Sequence, residues 1–211
     1  KIIDLLPNDS EIIVASRTKE GLLNKKVKHI TFNATEDSLS IEELPSKIDG
    51  FVYCPGSINL RPFKGLKSEA FLNDFELNVL GAVKCLQIIQ PLLAASEQAS
   101  VVLFSTVAVQ TGIPFHASVA ASKGALEGLG RSLAAEWAPK IRVNLIASSI
   151  TDTPLANRFL NNEIKKEKSS LRHPLKRIGS VNDVAELAVF LLTEKSSWMT
   201  GQVIGLDGGI S

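Results

Sequence analysis

Between Ser105 and Lys123 the chain reads Ser-Thr-Val-Ala-Val-Gln-Thr-Gly-Ile-Pro-Phe-His-Ala-Ser-Val-Ala-Ala-Ser-Lys, and this stretch carries its best candidates for chemistry. Thr106 offers a hydroxyl, Lys123 an ammonium, and His116 the one nearby side chain that titrates near neutral pH. Such groups can hold a substrate oxygen and move a proton to or from it, provided that geometry brings them together. For His116 the alternative is a loop imidazole facing solvent or a neighbouring subunit. The other candidates are poorer. Cys54 and Cys85 lack metal-ligand spacing, and no His or Asp partner marks Cys54 as a nucleophile. His29 precedes an apolar strand and His173 stands beside Pro174 in a polar segment. Neither has a metal-like partner, so both read as surface residues and no metal site is expected. Tyr53, the one tyrosine, lies in an apolar run and reads as a core or wall aromatic.

The elements that must position these residues follow from periodicity. Glu11–Ala15, Phe51–Tyr53, Val101–Phe104, Ile141–Ile146 and Val203–Leu206 read as short buried strands. Helical patterns run over Glu69–Leu93, Ala120–Ala138 and Val181–Leu192. Strands alternating with longer helices predict right-handed crossovers and a mostly parallel sheet covered on both faces. In the helix at Ala120–Ala138, Gly124, Gly128 and Gly130 each cost about 1 kcal/mol relative to alanine. Close packing against a neighbour would justify that cost; a tolerated, weaker helix is the alternative. Ser180 can cap the last helix, with Asp183 completing a capping box.

Composition bounds the reading. With 211 residues, one domain spanning 1–211 is the natural expectation. A net charge of +1 gives no broad field for nucleic acid or an anionic membrane. No apolar run approaches the ~18 residues of a spanning helix. No signal-peptide pattern opens the chain, and its sparse cysteines fit a reducing, cytoplasmic setting.

Several motifs, in order and spacing, resemble the short-chain dehydrogenase/reductase family, particularly its 3-oxoacyl-(acyl carrier protein)-reductase-like members. The stretch Ser105–Lys123 is similar to the family's run from Ser to Tyr-x-x-x-Lys. Asp49-Gly-Phe-Val-Tyr-Cys-Pro-Gly56 is similar to its Asp-x-Leu-Val-Asn-Asn-Ala-Gly. Leu77-Asn-Val-Leu-Gly81 resembles the helix carrying the family's active-site Asn, and Thr153 matches the Thr of Pro-Gly-x-x-x-Thr. Arg177-Ile-Gly and Thr200–Gly209 resemble its C-terminal ending.

The resemblance implies an α/β fold, a doubly wound parallel Rossmann sheet, in a homotetramer or dimer built through the helices at Glu69–Leu93 and Ala120–Ala138 and through the C-terminal strand. It implies an oxidoreductase acting on a small-molecule carbonyl or alcohol, with Asn78, Thr106 and Lys123 in catalytic roles. The proton donor is the departure: Val119 stands where the family has Tyr, so His116, or Lys123 through a water, is left as the candidate. The implied cofactor is NADP(H), because Arg17 follows a strand where an Arg suits a 2′-phosphate by charge-assisted contact. An ordinary surface Arg is the alternative. Ser16, Asn33, Cys54, Pro55, Gly56, Thr151 and Thr153 complete the implied cofactor contacts. Only Gly21 precedes Gly50, so the family's first strand and Gly-rich phosphate turn are expected in residues upstream of Lys1, a truly truncated chain being the alternative. Ser148-Ser149 replaces the family's Pro-Gly, and Leu155–Pro174 falls where the family has a mobile lid. A second reading is a non-catalytic NADP(H)-binding protein that kept the pocket and lost turnover.

Overall fold

The computed structural model describes residues 1–211. Six strands form: β1 (Ile13–Ser16), β2 (Lys28–Thr31), β3 (Gly50–Tyr53), β4 (Ala99–Thr106), β5 (Ile141–Ser148) and β6 (Val203–Leu206). All pair in parallel, in the orders β1-β2 and β3-β4-β5-β6. The helices are α1 (Ile2–Leu5), α2 (Ser68–Phe75), α3 (Gly81–Ala94), α4 (Ala108–Thr111), α5 (Ala117–Trp137), α6 (Glu163–Arg172) and α7 (Val181–Leu192). Turns rather than a helix join β1 to β2, a departure from strict alternation.

Period-2 patterning sorts the sheet's side chains onto two faces. Val101 and Leu103 of β4, with Val143 and Leu145 of β5, pack beneath Leu86 and Ile89 of α3 and Leu126 of α5. Val102 and Ile146 face the other way, against Ala188 and Leu191 of α7. Both faces are thus covered, as near-continuous apolar strands require. Each fully buried Leu or Ile contributes about 1.5–3 kcal/mol.

Helices α2 and α3 are one continuous rod, Ser68–Ala94, interrupted by a single π turn at Glu76–Leu80. By length and composition alone this rod could cross a bilayer, but the folded chain packs it against the sheet as a core helix. In the folded chain it carries Ala82, Cys85, Leu86, Ile89 and Leu93 into the core. The expected glycine packing holds at one position: a Cβ on Gly130 would meet Leu145 Cδ1 of β5 at 2.5 Å, while at Gly128 it would meet open space. The capping box of α7 forms as the Ser-x-x-Asp pattern predicts. Arg142 of β5 donates to the carbonyls of Leu191, Thr193, Ser196 and Met199, tying the end of α7 to the sheet.

Candidate active site

The carboxyl ends of β3, β4 and β5 open into a cavity of about 620 Å³, where ligands bind in open parallel sheets. From β3 come Cys54 and Gly56, from β4 Thr106, and from the end of β5 Ser148 and Ser149. Helix α5 and its N-cap line the cavity with His116, Val119 and Lys123, spaced three and four apart and so on one side. Thr151 and Thr153 also line it.

The π turn sets Asn78 into this site. A widened turn frees backbone groups, and Tyr53 Oη donates to the Leu77 carbonyl there at 2.7 Å. Tyr53 is 3% exposed, so the one tyrosine is a core residue, as its apolar run suggests, and burial pushes its phenol pKa up. Asn78 is fully buried and its Nδ2 donates to Ser57 Oγ at 3.1 Å and Ser122 Oγ at 3.0 Å. Ser122 in turn donates to the Val119 carbonyl, so the side chain bridges the rod to α5. Asn78 Oδ1 is buried without a partner. A Cβ on Gly56 would stand 3.5 Å from both Asn78 Oδ1 and Lys123 Nζ, so glycine keeps this corner open. An orphaned acceptor and an ammonium facing a clear corner fit the hydroxyls of a nucleotide sugar.

Lys123 is 7% exposed, and burial lowers its pKa to about 8, offset partly by Cys54 and Asp74. Asp74 is fully buried, its Oδ1 accepting from Ser57 Oγ and Asn59 Nδ2 at 2.6 Å each. Cys54 is reached by water through the cavity yet surrounded by protein, and burial raises its thiol to about 11, with Lys123 opposing. A thiol so held is protonated at neutral pH and a poor nucleophile. His116 caps α5, and its Nδ1 lies 2.8 Å from the Pro114 carbonyl. A carbonyl only accepts, so Nδ1 carries the proton and Nε2 is free. Val119 is 5% exposed and presents only methyl groups to the cavity.

The three other residues named for the cofactor's far end stand apart from this cavity. Arg17 is exposed beyond the carboxyl end of β1. Ser16 Oγ donates to the Thr18 carbonyl at 2.8 Å and lies 3.0 Å from His29 Nε2. Asn33 follows β2 in a local turn, accepting from Thr35 and donating its N–H to Asp37. Pro55 sits between the two cavity residues Cys54 and Gly56.

Two histidines depart from the surface expectation. His29 is half-buried against Ser16, and His173 is 3% exposed. His173 Nε2 lies 2.8 Å from Ser149 Oγ and its Nδ1 2.8 Å from the Ser169 carbonyl. Both Ser149 and His173 line the cavity. Their partners lie far along the chain from Ser149, so local pattern carried no signal for the pair.

A doubly wound parallel sheet with a polar cluster at its carboxyl edge defines a Rossmann-type domain. The family model described as enoyl-(acyl carrier protein) reductase matches residues 37–211. A tropinone reductase homolog of Arabidopsis thaliana is 36% identical over 166 residues, covering 78% of this chain and 63% of its own length. The chain belongs to the short-chain dehydrogenase/reductase family of oxidoreductases. It spans about six-tenths of the length of the curated relatives it matches. Two solved structures show the same fold. A short chain dehydrogenase family protein from Francisella tularensis superposes with TM-score 0.88 at 24% identity, covering 99% of this chain and 92% of that one. A gluconate 5-dehydrogenase from Burkholderia cenocepacia, in complex with NADP and tartrate, gives TM-score 0.86 at 22% identity, covering 95% and 85%.

Proposed function

We propose that this protein is an NADP(H)-dependent oxidoreductase that interconverts a small carbonyl compound and its alcohol, with Lys123 in place of a tyrosine as proton donor. The observation that carries this reading is the meeting of Asn78 Oδ1 and Lys123 Nζ around Gly56, at a cavity that Lys123 and Thr106 both line, with the Lys123 ammonium in no ion pair with a protein carboxylate. A nicotinamide cofactor, when bound, supplies or accepts the hydride. Lys123 Nζ and Asn78 Oδ1 would hold its ribose hydroxyls, and Cys54, Pro55, Gly56, Thr151 and Thr153 would wall its nicotinamide half. Thr106 Oγ1 donates to the substrate oxygen. Lys123 delivers a proton to that oxygen directly or through a water, because an ammonium with a pKa of about 8 gives up its proton readily near neutral pH. His116, on the same face of α5 with Nε2 free, is the second group able to do so.

Ser16, Arg17 and Asn33 bind the adenosine end in this reading, Arg17 pairing with the 2′-phosphate. The gluconate 5-dehydrogenase complex with NADP is consistent with that cofactor. The second reading, a cofactor-binding protein without turnover, is favoured by Val119, whose methyls occupy the wall where a donor would project.

Fluorescence titration of NADPH and NADH into the full-length protein tests the reading. Tight NADPH and weak NADH binding is expected. In R17D, NADPH affinity falls at least tenfold, since a charge-assisted bond is worth about 1.5–3 kcal/mol, while NADH affinity barely changes. Equal losses for both would remove Arg17 from the cofactor site. Binding without ketone-dependent NADPH oxidation would favour the second reading.

A further inference from the structure

We infer that Ser149 and His173 form a nucleophile–base pair able to cleave small carboxylic esters, an activity separate from the hydride chemistry. Three observations carry this. First, the Ser169 carbonyl can only accept, so the 2.8 Å contact fixes the proton on His173 Nδ1. Neutral His173 then has a lone pair on Nε2, and the Ser149 hydroxyl donates to it at 2.8 Å. Nucleophile, base and orienting group thus stand in the order such catalysis needs, with a main-chain carbonyl as the orienting group.

Second, the imidazole is 3% exposed, so its rotamer is fixed by packing, while Ser149 opens into a cavity of about 620 Å³. Ile58, Ile113, Leu155 and Phe159 give that cavity apolar walls suited to a short acyl chain.

Third, the backbone after Ser149 offers donors. The bridge between Thr151 and Gly179 is made by Gly179 N–H to the Ile150 carbonyl and Asp152 N–H to the Gly179 carbonyl. This leaves the N–H groups of Ile150 and Thr151 without a partner in the chain, and both residues line the cavity. Main-chain donors directly following a nucleophile are where an acyl-transfer oxyanion is stabilised.

The reaction balances without an oxidant. Ser149 Oγ attacks the ester carbonyl carbon as His173 Nε2 takes the hydroxyl proton. The tetrahedral oxyanion collapses, the bond to the alcohol oxygen breaks, and the leaving alcohol takes the proton from Nε2. Water then attacks the acyl-serine, passes a proton to His173, and releases the carboxylic acid with Ser149 restored.

The test uses full-length, cofactor-free protein with a fluorophosphonate probe and p-nitrophenyl acetate, so it is independent of nicotinamide turnover. Peptide mass spectrometry is expected to place the adduct on Ser149. Labelling and p-nitrophenol release should both fall at least tenfold in H173Q and vanish above background in S149A, with circular dichroism reporting the fold. H173N, which keeps an amide able to reach the Ser169 carbonyl, is the second base variant. No adduct on Ser149 of the unmodified protein, or labelling as fast in a folded His173 variant, overturns the inference.

Discussion

Lys123 concentrates two consequences in one side chain. Its ordinary value is 10.5 and its folded value about 8, chiefly through burial. Between those pH values the unfolded chain holds a proton that the folded chain has lost, so this residue makes stability rise with pH. The contribution is about 3 kcal/mol over the full window. Denaturant melts at pH 7.5 and 10 should therefore show wild type gaining on K123M as pH rises; an unchanged difference would mean that Lys123 stays charged. The same titration runs against the reaction: once the ammonium is lost, carbonyl reduction falls as pH rises through about 8. Val119 offers the converse experiment. V119Y places a phenol one turn before Lys123, and reductase activity on a ketone panel should rise at least tenfold, general acids being worth about 10²–10⁴. No gain with NADPH bound would show that the pocket no longer positions a substrate oxygen. At this scale the sequence is legible where spacing is local. His116, Val119 and Lys123 declare a shared helical face because they lie within two turns. His173 does not declare its burial, because Ser149 meets it only after the chain crosses from β5 through α6, and its local contact with the Ser169 carbonyl leaves no mark in the pattern.

Elements are held to the site by contacts that single glycines permit. Gly130 lies against Leu145, where an added Cβ would stand 2.5 Å from Cδ1, so α5 approaches β5 too closely for a methyl group. Gly128 meets nothing within 4 Å. G130A is therefore expected to cost about 1–3 kcal/mol by overpacking, and G128A to stabilise by up to about 1 kcal/mol. Thermal melts of the pair decide this, and equal shifts would mean that α5 is less closely seated. Because α5 carries His116, Val119 and Lys123, G130A should also weaken NADPH binding while G128A leaves it unchanged. The glycines of α5 are visible in the sequence as a cost, but which of them faces a neighbour depends on helix rotation, and the apolar stripe is blurred where small residues lie on both faces. Helix α7 is plainer: a Ser-x-x-Asp start and a Leu-Leu end bound Val181–Leu192 because capping is a short-range interaction. The π turn at Glu76–Leu80 leaves no such mark, since Leu77-Asn-Val-Leu-Gly81 has ordinary helical composition.

On the whole molecule, several large apolar side chains stand exposed. Phe63, Leu72 and Phe115 are 75%, 67% and 56% exposed. Phe63 packs edge-on against Phe71 of α2, and Arg61 N–H donates to the Phe115 carbonyl at 3.1 Å. Phe115 also adopts φ of 70°, a left-handed conformation costing a residue with a Cβ about 1–2 kcal/mol. An exposed aromatic in a strained conformation, beside a site residue, is accounted for if a second copy covers it. F115G separates the two effects. Glycine relieves the strain and deletes the aromatic contact, so if copies associate here, light scattering after size exclusion should show a smaller particle or weaker assembly. If the chain acts alone, F115G leaves the mass of one chain unchanged and raises the melting temperature, and the exposed phenylalanine belongs to substrate entry beside His116.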